Sequence, residues 1–304
     1  MNTVARGILG WVLLSITVTI ASMSTPAAEI ERTLELEAGG TVEIEIGVGA
    51  LRVLGWDRAE VEITGSVGFD PVLLEIRASG NGVWVEAPVV EGRNGGADLV
   101  IRVPELGSLE IEGISCDVVT VGGRAEEIQV EVVHGEVAID AIARRVDVES
   151  VSGSIRTSGA IDEVRAETAA GRITLAGVRT SVVAETVGGP VEVTADAPLR
   201  RADLSTANGR IRFAGGLAAD GRLRAESMNG GVELMLDAGT RADVEIETYN
   251  GRIDVDWDGV DVSGGRDDRR ERHHGREANF ALGGGGGARI EVDTFNGRCS
   301  IRSR

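Results

Sequence analysis

The chain has no lysine, two cysteines and three histidines, and aromatic residues make up only 3% of its 304 residues. Each scarcity excludes something. Without lysine there is no Lys-Ser/Thr phosphate loop, and the glycine run Gly283–Gly287 precedes a strand-like segment, whereas phosphate cradles open a helix. No Gly-x-Ser-x-Gly elbow, His-Glu-x-x-His or Cys-x-x-Cys pair occurs, so no catalytic residue, cofactor site or metal site is assigned. Basic charge is outnumbered, 31 residues against 49 acidic ones, and the net charge of −18 repels nucleic acid and bare anionic membrane. Cations and neutral glycans are compatible with such a surface. The longest apolar run, Ile8–Ala21, is shorter than the roughly 20 residues of a spanning helix. With Arg6 before it and Thr25-Pro26-Ala27 after it, Met1–Ala28 reads as a cleaved secretory signal with no cysteine for a lipid anchor. The mature chain is expected to lack an integral membrane segment and to reside in the periplasm or outside the cell.

What is present is a repeat. Gly135, Gly153, Gly171 and Gly189 stand 18 residues apart, Gly209 follows after 20, Gly230 and Gly251 after 21 each, and Gly297 after 46. Two positions after each glycine stand Val137, Ile155, Ile173, Val191, Ile211, Val232, Ile253 and Cys299. Four positions after stand Ile139, Thr157, Leu175, Val193, Phe213, Leu234, Val255 and Ile301. Positions two apart share a face of a strand, so each segment predicts a short strand with one buried side. Three residues before each glycine lies Thr or Ser (Ser150, Thr168, Thr186, Thr206, Ser227, Thr248, Thr294), with Val132 the exception, and β-branched Thr suits a pleated surface. Asn208, Asn229, Asn250 and Asn296 immediately precede their glycines and mark bends, because Asn and Gly tolerate positive φ. In isolation Asn-Gly would suggest an antiparallel hairpin. Serial repetition favours stacking instead, because one repeat buries too little to fold alone.

The fold class expected is therefore all-β: a single-domain β-solenoid, parallel β-helix-like, of stacked 18–21-residue rungs with a second bend near Gly159, Gly177, Gly215 and Gly239. Its narrow cross-section accounts for the few aromatics. Residues 29–106 are β-like but less regular and supply a cap; Gly49 starts a rung with Leu51 and Val53, and Asp117, with Val119 and Val121, reads as a degenerate bend 18 residues before Gly135. Residues 107–304 form the solenoid proper. Residues 259–287 read as a mobile insertion, since Arg266–His274 is mixed in charge without an apolar period and Gly283–Gly287 is a flexible hinge. Cys116 and Cys299 fall in distant rungs, beyond the reach of a disulfide, and are expected as thiols.

One polar column has chemistry to weigh. Glu131, Glu149, Glu167, Glu185, Glu226, Glu247 and Asp293, interrupted by Ser205, lie four residues before the bend glycines and stack on an outward face. Neighbours about 5 Å apart are close enough to share Ca²⁺ or to act as an acid and nucleophile pair on a sugar. The plainer reading is a solvated face neutralised by Arg172, Arg210, Arg252 and Arg298, and the uniform column favours it. His273 and His274 lack a spaced set of metal-ligand partners, and His134 replaces a small bend residue.

The Leu54-Gly55-Trp56-Asp57 turn, the Leu99–Pro104 strand ending in Val-Pro, and the serial Thr/Ser-x-Asn/Ser-Gly-x-Ile/Val units resemble the bacterial putative-adhesin β-strand-repeat family. They are similar also to the head domains of putative autotransporter adhesins. With the export signal, the uniform repeat and the lack of a catalytic constellation, the expectation is a non-catalytic, adhesin-like envelope or surface protein whose β face meets a glycan, a divalent cation or a surface protein. The alternative is a carbohydrate-active β-helix enzyme, a lyase or hydrolase using the stacked acids with calcium. With Arg304 just after the last strand, no translocating barrel is expected.

Overall fold

The structure, a computed structural model, describes residues 27–90, 95–260 and 276–304. The signal-like run up to residue 26 and the pair His273 and His274 lie outside the described residues. The chain is an all-β solenoid, its strands joined in one sheet by mostly parallel ladders. In its middle, β7 (Gly107–His134), β8 (Val137–Ser152), β9 (Ile155–Ala170) and β10 (Ile173–Gly188) pair parallel and in register, each column of the repeat meeting itself, as in Ile155 against Ile173 and Glu149 against Glu167. Alternation drives this. Val137, Ile139, Val146 and Val148 of β8 are buried, while Arg144 and Arg145, exposed in succession, mark the second bend where the inward parity changes. Burying one such aliphatic side chain stabilises by about 1.5–3 kcal/mol, against about 1–2 kcal/mol per residue for ordering backbone, so a lone rung does not hold.

The bends are glycine for a reason other than turn conformation. A Cβ on Gly171 would stand 1.9 Å from the carbonyl oxygen of Gly153, and one on Gly189 would stand 1.9 Å from that of Gly171. The same clash recurs from Gly135 to Gly297, so close approach of successive backbones excludes any side chain. Positive φ does not explain the column: among these bend glycines only Gly135 and Gly153 have it. The Thr three residues earlier completes the joint. Thr168, Thr186, Thr206 and Ser227 donate their hydroxyls to the carbonyls of Gly153, Gly171, Gly189 and Gly209, at 3.0 to 3.4 Å.

At Asp117 the expected register is one residue off. Val118 pairs with Val137 and is buried, Thr120 with Ile139, and Cys116 rather than Asp117 faces Gly135. The spacing is thus 19 residues, and that slip turns Val119 away from the core side. Asp117 accepts a hydrogen bond from the Glu136 amide at 2.8 Å.

Both ends depart from sequence order. Near the amino end, β2 (Thr41–Trp56) lies between β7 on one side and β5 (Gly82–Ala87) with β6 (Ala97–Pro104) on the other, all parallel. Antiparallel strands then finish the sheet: β4 (Glu75–Ser79) on β5, β3 (Glu60–Val67) on β6, and β1 (Ala28–Glu35) on β3. The rungs continue through β11 (Val191–Ala195), β12 (Leu199–Asn208), β13 (Ile211–Gly215), β14 (Leu217–Asn229) and β15 (Val232–Leu236). The next rung in sequence, β16 (Ala242–Thr248) with β17 (Arg252–Asp256), does not stack on them. The last, β19 (Ala288–Asn296) with β20 (Arg298–Ser303), is inserted between, pairing with β14 and β15 on one side and β16 and β17 on the other.

Part of the stretch expected as a mobile insertion is ordered sheet. β18 (Arg276–Leu282) pairs antiparallel with β16, from Ala242 opposite Leu282 to Thr248 opposite Arg276. The expected flexible hinge is a tight turn: Gly283 to Gly286 all have positive φ, the Gly285 amide donates to the Leu282 carbonyl at 3.0 Å, and Arg241 donates to the Gly285 carbonyl at 3.1 Å. Four successive left-handed residues are accessible only to glycine. Cys116 and Cys299 are buried free thiols; burial raises the first to a pKa of about 11 and the second above its ordinary value.

Candidate binding groove

Along one side of the rod the residues that precede the first bend form three parallel columns. The acidic column stands four residues before the bend glycine and projects outward. Three before it, the Thr and Ser hydroxyls turn in and are buried beneath the bend. Two before it is a column absent from the sequence reading: Val133, Val151, Val187, Met228, Phe295 and Tyr249, apolar and exposed, Val187 and Met228 at 60%. Acidic and apolar columns become the two walls, and the Thr/Ser column the floor, of a continuous groove of about 1480 Å³. The apolar column is legible in the repeat, but outward parity marks it as surface, and only the stacking of rungs converts scattered exposed residues into a wall.

The acidic wall is longer than the repeat implies. Glu131, Glu149, Glu167, Glu185, Ser205 and Glu226 follow in ladder register, then Asp293 ahead of Glu247 because the last rung is inserted. At the other end Glu112, Glu45 and Glu86 carry it on, a continuation hidden in the sequence because their strands reach adjacent rungs out of order.

Two of the four arginines expected to neutralise the wall pair elsewhere. Arg172 pairs with Glu192 at 3.1 Å and Arg298 with Asp254 at 3.3 Å, both carboxylates lying beyond the bend on the second strand. Residues after the bend belong to a different side of the rod. Inside the first strand the partners stand two residues away: Arg165 pairs with Glu167, Arg224 with Glu226, and Gln129 donates to Glu131 at 3.0 Å. Among the described residues Glu149 and Glu185 have no ion pair.

Burial raises the pKa of Glu167 above the usual carboxylate range; Arg165 opposes this, while the carboxylates of Glu185, Glu149 and Asp147 add to it. Asp293 is raised likewise, by burial first and then by Glu226. Among the described residues no three His, Cys, Asp or Glu side chains converge to hold a metal ion. The column sets carboxylates side by side along the ladder. His134 is exposed at its bend, with Ser152 of the next rung opposite.

Toward the carboxyl end the apolar wall becomes aromatic. Tyr249 and Phe295 stack at 4.8 Å between ring centroids and 4° between planes, which is the rung spacing expressed in side chains. Beside them the bend asparagines form a ladder: Asn229 donates to Asn208 at 3.0 Å, Asn296 to Asn229 at 2.9 Å and Asn250 to Asn296 at 3.1 Å. Its order, 208, 229, 296, 250, is that of the inserted rung.

The sequence matches no known family model and no curated protein. The structure is similar to a putative adhesin of Bacteroides fragilis at 12% identity, covering 91% of this chain and 97% of that one with a TM-score of 0.44. A putative adhesin of Parabacteroides merdae is similar at 10% identity, 68% and 89% coverage and a TM-score of 0.38. A putative cell adhesion protein of Clostridium sporogenes is similar at 12% identity, 91% and 100% coverage and a TM-score of 0.22. No functional conclusion rests on these likenesses.

Proposed function

We propose that this chain is an exported, non-catalytic, adhesin-like binding rod that holds a partner along its groove at the cell envelope or surface. The observation that carries the reading is the groove itself, built from three columns that recur along the rod, with Ser205 the exception in the acidic column and Ala169 and Ala207 the small members of the apolar one. A catalytic centre concentrates unlike residues at one place, whereas here most rungs offer a carboxylate, a Thr or Ser and an apolar side chain in the same order. Export is inferred from the Met1–Ala28 pattern, with residues 29–106 as the capped start of the rod and 107–304 as its repeats. Among the described residues no helix is long and apolar enough to cross a membrane.

The test is to incubate the purified protein with fractionated envelope glycans and surface proteins and to map hydrogen exchange. Protection along the amides of residues 131–133, 149–151 and 185–187 supports the reading. Protection confined to the opposite side of the rod, or chemical turnover of a bound glycan, overturns it.

A further inference from the structure

The two walls of the groove ask for different things. Glu149 and Glu185 have no cation of their own among the described residues, and Val151 and Val187 beside them are more than half exposed. A ligand that satisfies both presents positive charge and apolar surface side by side, repeatedly, along the rod axis. We propose that the occupant is an extended, arginine- or lysine-rich polypeptide that also carries apolar side chains, lying across successive rungs with its cationic groups on the acidic wall and its apolar groups on the other. This rests on the groove being the binding site and names the chemistry of its partner.

Other occupants fit less well. A neutral glycan can donate to the carboxylates but leaves their charge uncompensated, and the hydroxyls of Thr168, Thr186 and Thr206 are already donated to glycine carbonyls. Tyr249 and Phe295 each give one ring face to the other, at one end of the groove only. A bare divalent cation leaves the apolar wall uncovered, and a second copy of the chain brings acidic wall to acidic wall on a molecule of net charge −18. Burial first and neighbouring carboxylates second hold the Glu167 and Asp293 carboxyls above their ordinary range; a cationic chain favours their charged forms, so its affinity falls as they take up protons on acidification.

The experiment measures binding of the full chain to three synthetic probes. These are a peptide alternating arginine and valine, the same peptide with glutamate for arginine, and a linear neutral oligosaccharide. Glu149→Gln/Glu185→Gln and Val151→Ser/Val187→Ser variants follow, each checked for an unchanged melting temperature, as expected for exposed sites. The arginine peptide binds, more weakly at higher salt, and each double variant loses about tenfold in affinity, the scale of two lost exposed ion pairs in one and of two partly buried apolar contacts in the other. Equal binding of the glutamate peptide, or arginine-peptide binding that neither variant weakens, overturns the proposal. Oligosaccharide binding that the variants abolish overturns the peptide while keeping the groove. No binding by any probe also overturns the proposal, while the groove reading falls on its own test, by protection of the opposite side of the rod or turnover of a bound glycan.

Discussion

The middle of the rod and its carboxyl end are built from the same repeat and stacked by different rules. From Gly135 to Gly230 each rung lies on the one before it in sequence. Beyond that the chain lays down β16 and β17 at the outer position, turns back through β18, and slides its last rung into the gap. A rung recognises any neighbour that presents a Gly carbonyl, a Thr and an aliphatic column at the right height, and sequence adjacency matters only where the connection is short. The amino end follows the same logic with β2 inside β5 and β6. At both ends an antiparallel strand continues the sheet beyond the last parallel rung on the acidic side, so that the edge there is a short strand of opposite direction.

The largest expected effect falls on the middle. Ile173 is completely buried, so Ile173→Asp places an unpaired charge in the core at a cost of several kcal/mol, comparable with the whole stability of a domain. Soluble yield should collapse, while Arg172→Asp, on the exposed adjacent position, should leave the melting curve close to that of the parent. Equal damage from both changes would mean that the register is misassigned.

Next is the glycine column. Gly189→Ala drives a methyl into a backbone carbonyl and should cost about 1–3 kcal/mol or more by urea denaturation, whereas Gly239→Ala has no atom within 4 Å of its new methyl and should be nearly neutral. A mild Gly189→Ala would show that the rungs can separate locally.

The order of the end rungs is sharpened by a double-mutant cycle on the asparagine ladder. Asn229 and Asn296 should couple by about 0.5–1.5 kcal/mol, while Asn229 and Asn250, adjacent in sequence repeats but not in space, should not. Coupling of 229 with 250 instead would restore the sequential stack.

Two smaller effects distinguish the groove from the core. Glu167 and Asp293 have raised folded pKa values, so the folded state holds their protons more tightly than the unfolded chain does. Their charged forms therefore cost stability above the folded pKa, and that cost disappears as pH falls toward the ordinary values of 4.5 and 3.8. Glu291, held low by its hydrogen bond from Arg222, works oppositely and loses its contribution only at lower pH. The melting temperature should thus rise slightly on mild acidification, and Glu167→Gln/Asp293→Asn should flatten that rise. In the core, Thr157 is 1% exposed and its hydroxyl has no partner among the described residues, so Thr157→Val should stabilise by about 1 kcal/mol in the same denaturation assay.

Much of this was legible without coordinates. Period-2 burial in Val137 and Ile139 or Ile173 and Leu175 follows from side-chain alternation alone, and an in-register stack follows from a repeat that cannot fold singly. The acidic column was visible for the same reason. The slip at Cys116 was not, because Asp117-Val118-Val119 offers apolar residues to either parity. The pairing of the arginines was also hidden, since which side of the rod a residue faces depends on where the bend falls, and a residue just past the glycine leaves the groove.

The sequence by itself determined the strands, their inward faces and the spacing of the bends, because these depend on residues within one rung. Only the tertiary structure decided which rung lies on which, what the Arg276–Leu282 segment pairs with, and that Val151, Val187 and Met228 line a groove with the glutamates. Those outcomes come from contacts between rungs, where hydrogen bonds made by near-identical edges do not distinguish a sequence neighbour from a distant one. Chain connectivity and the room left at each end settle the choice.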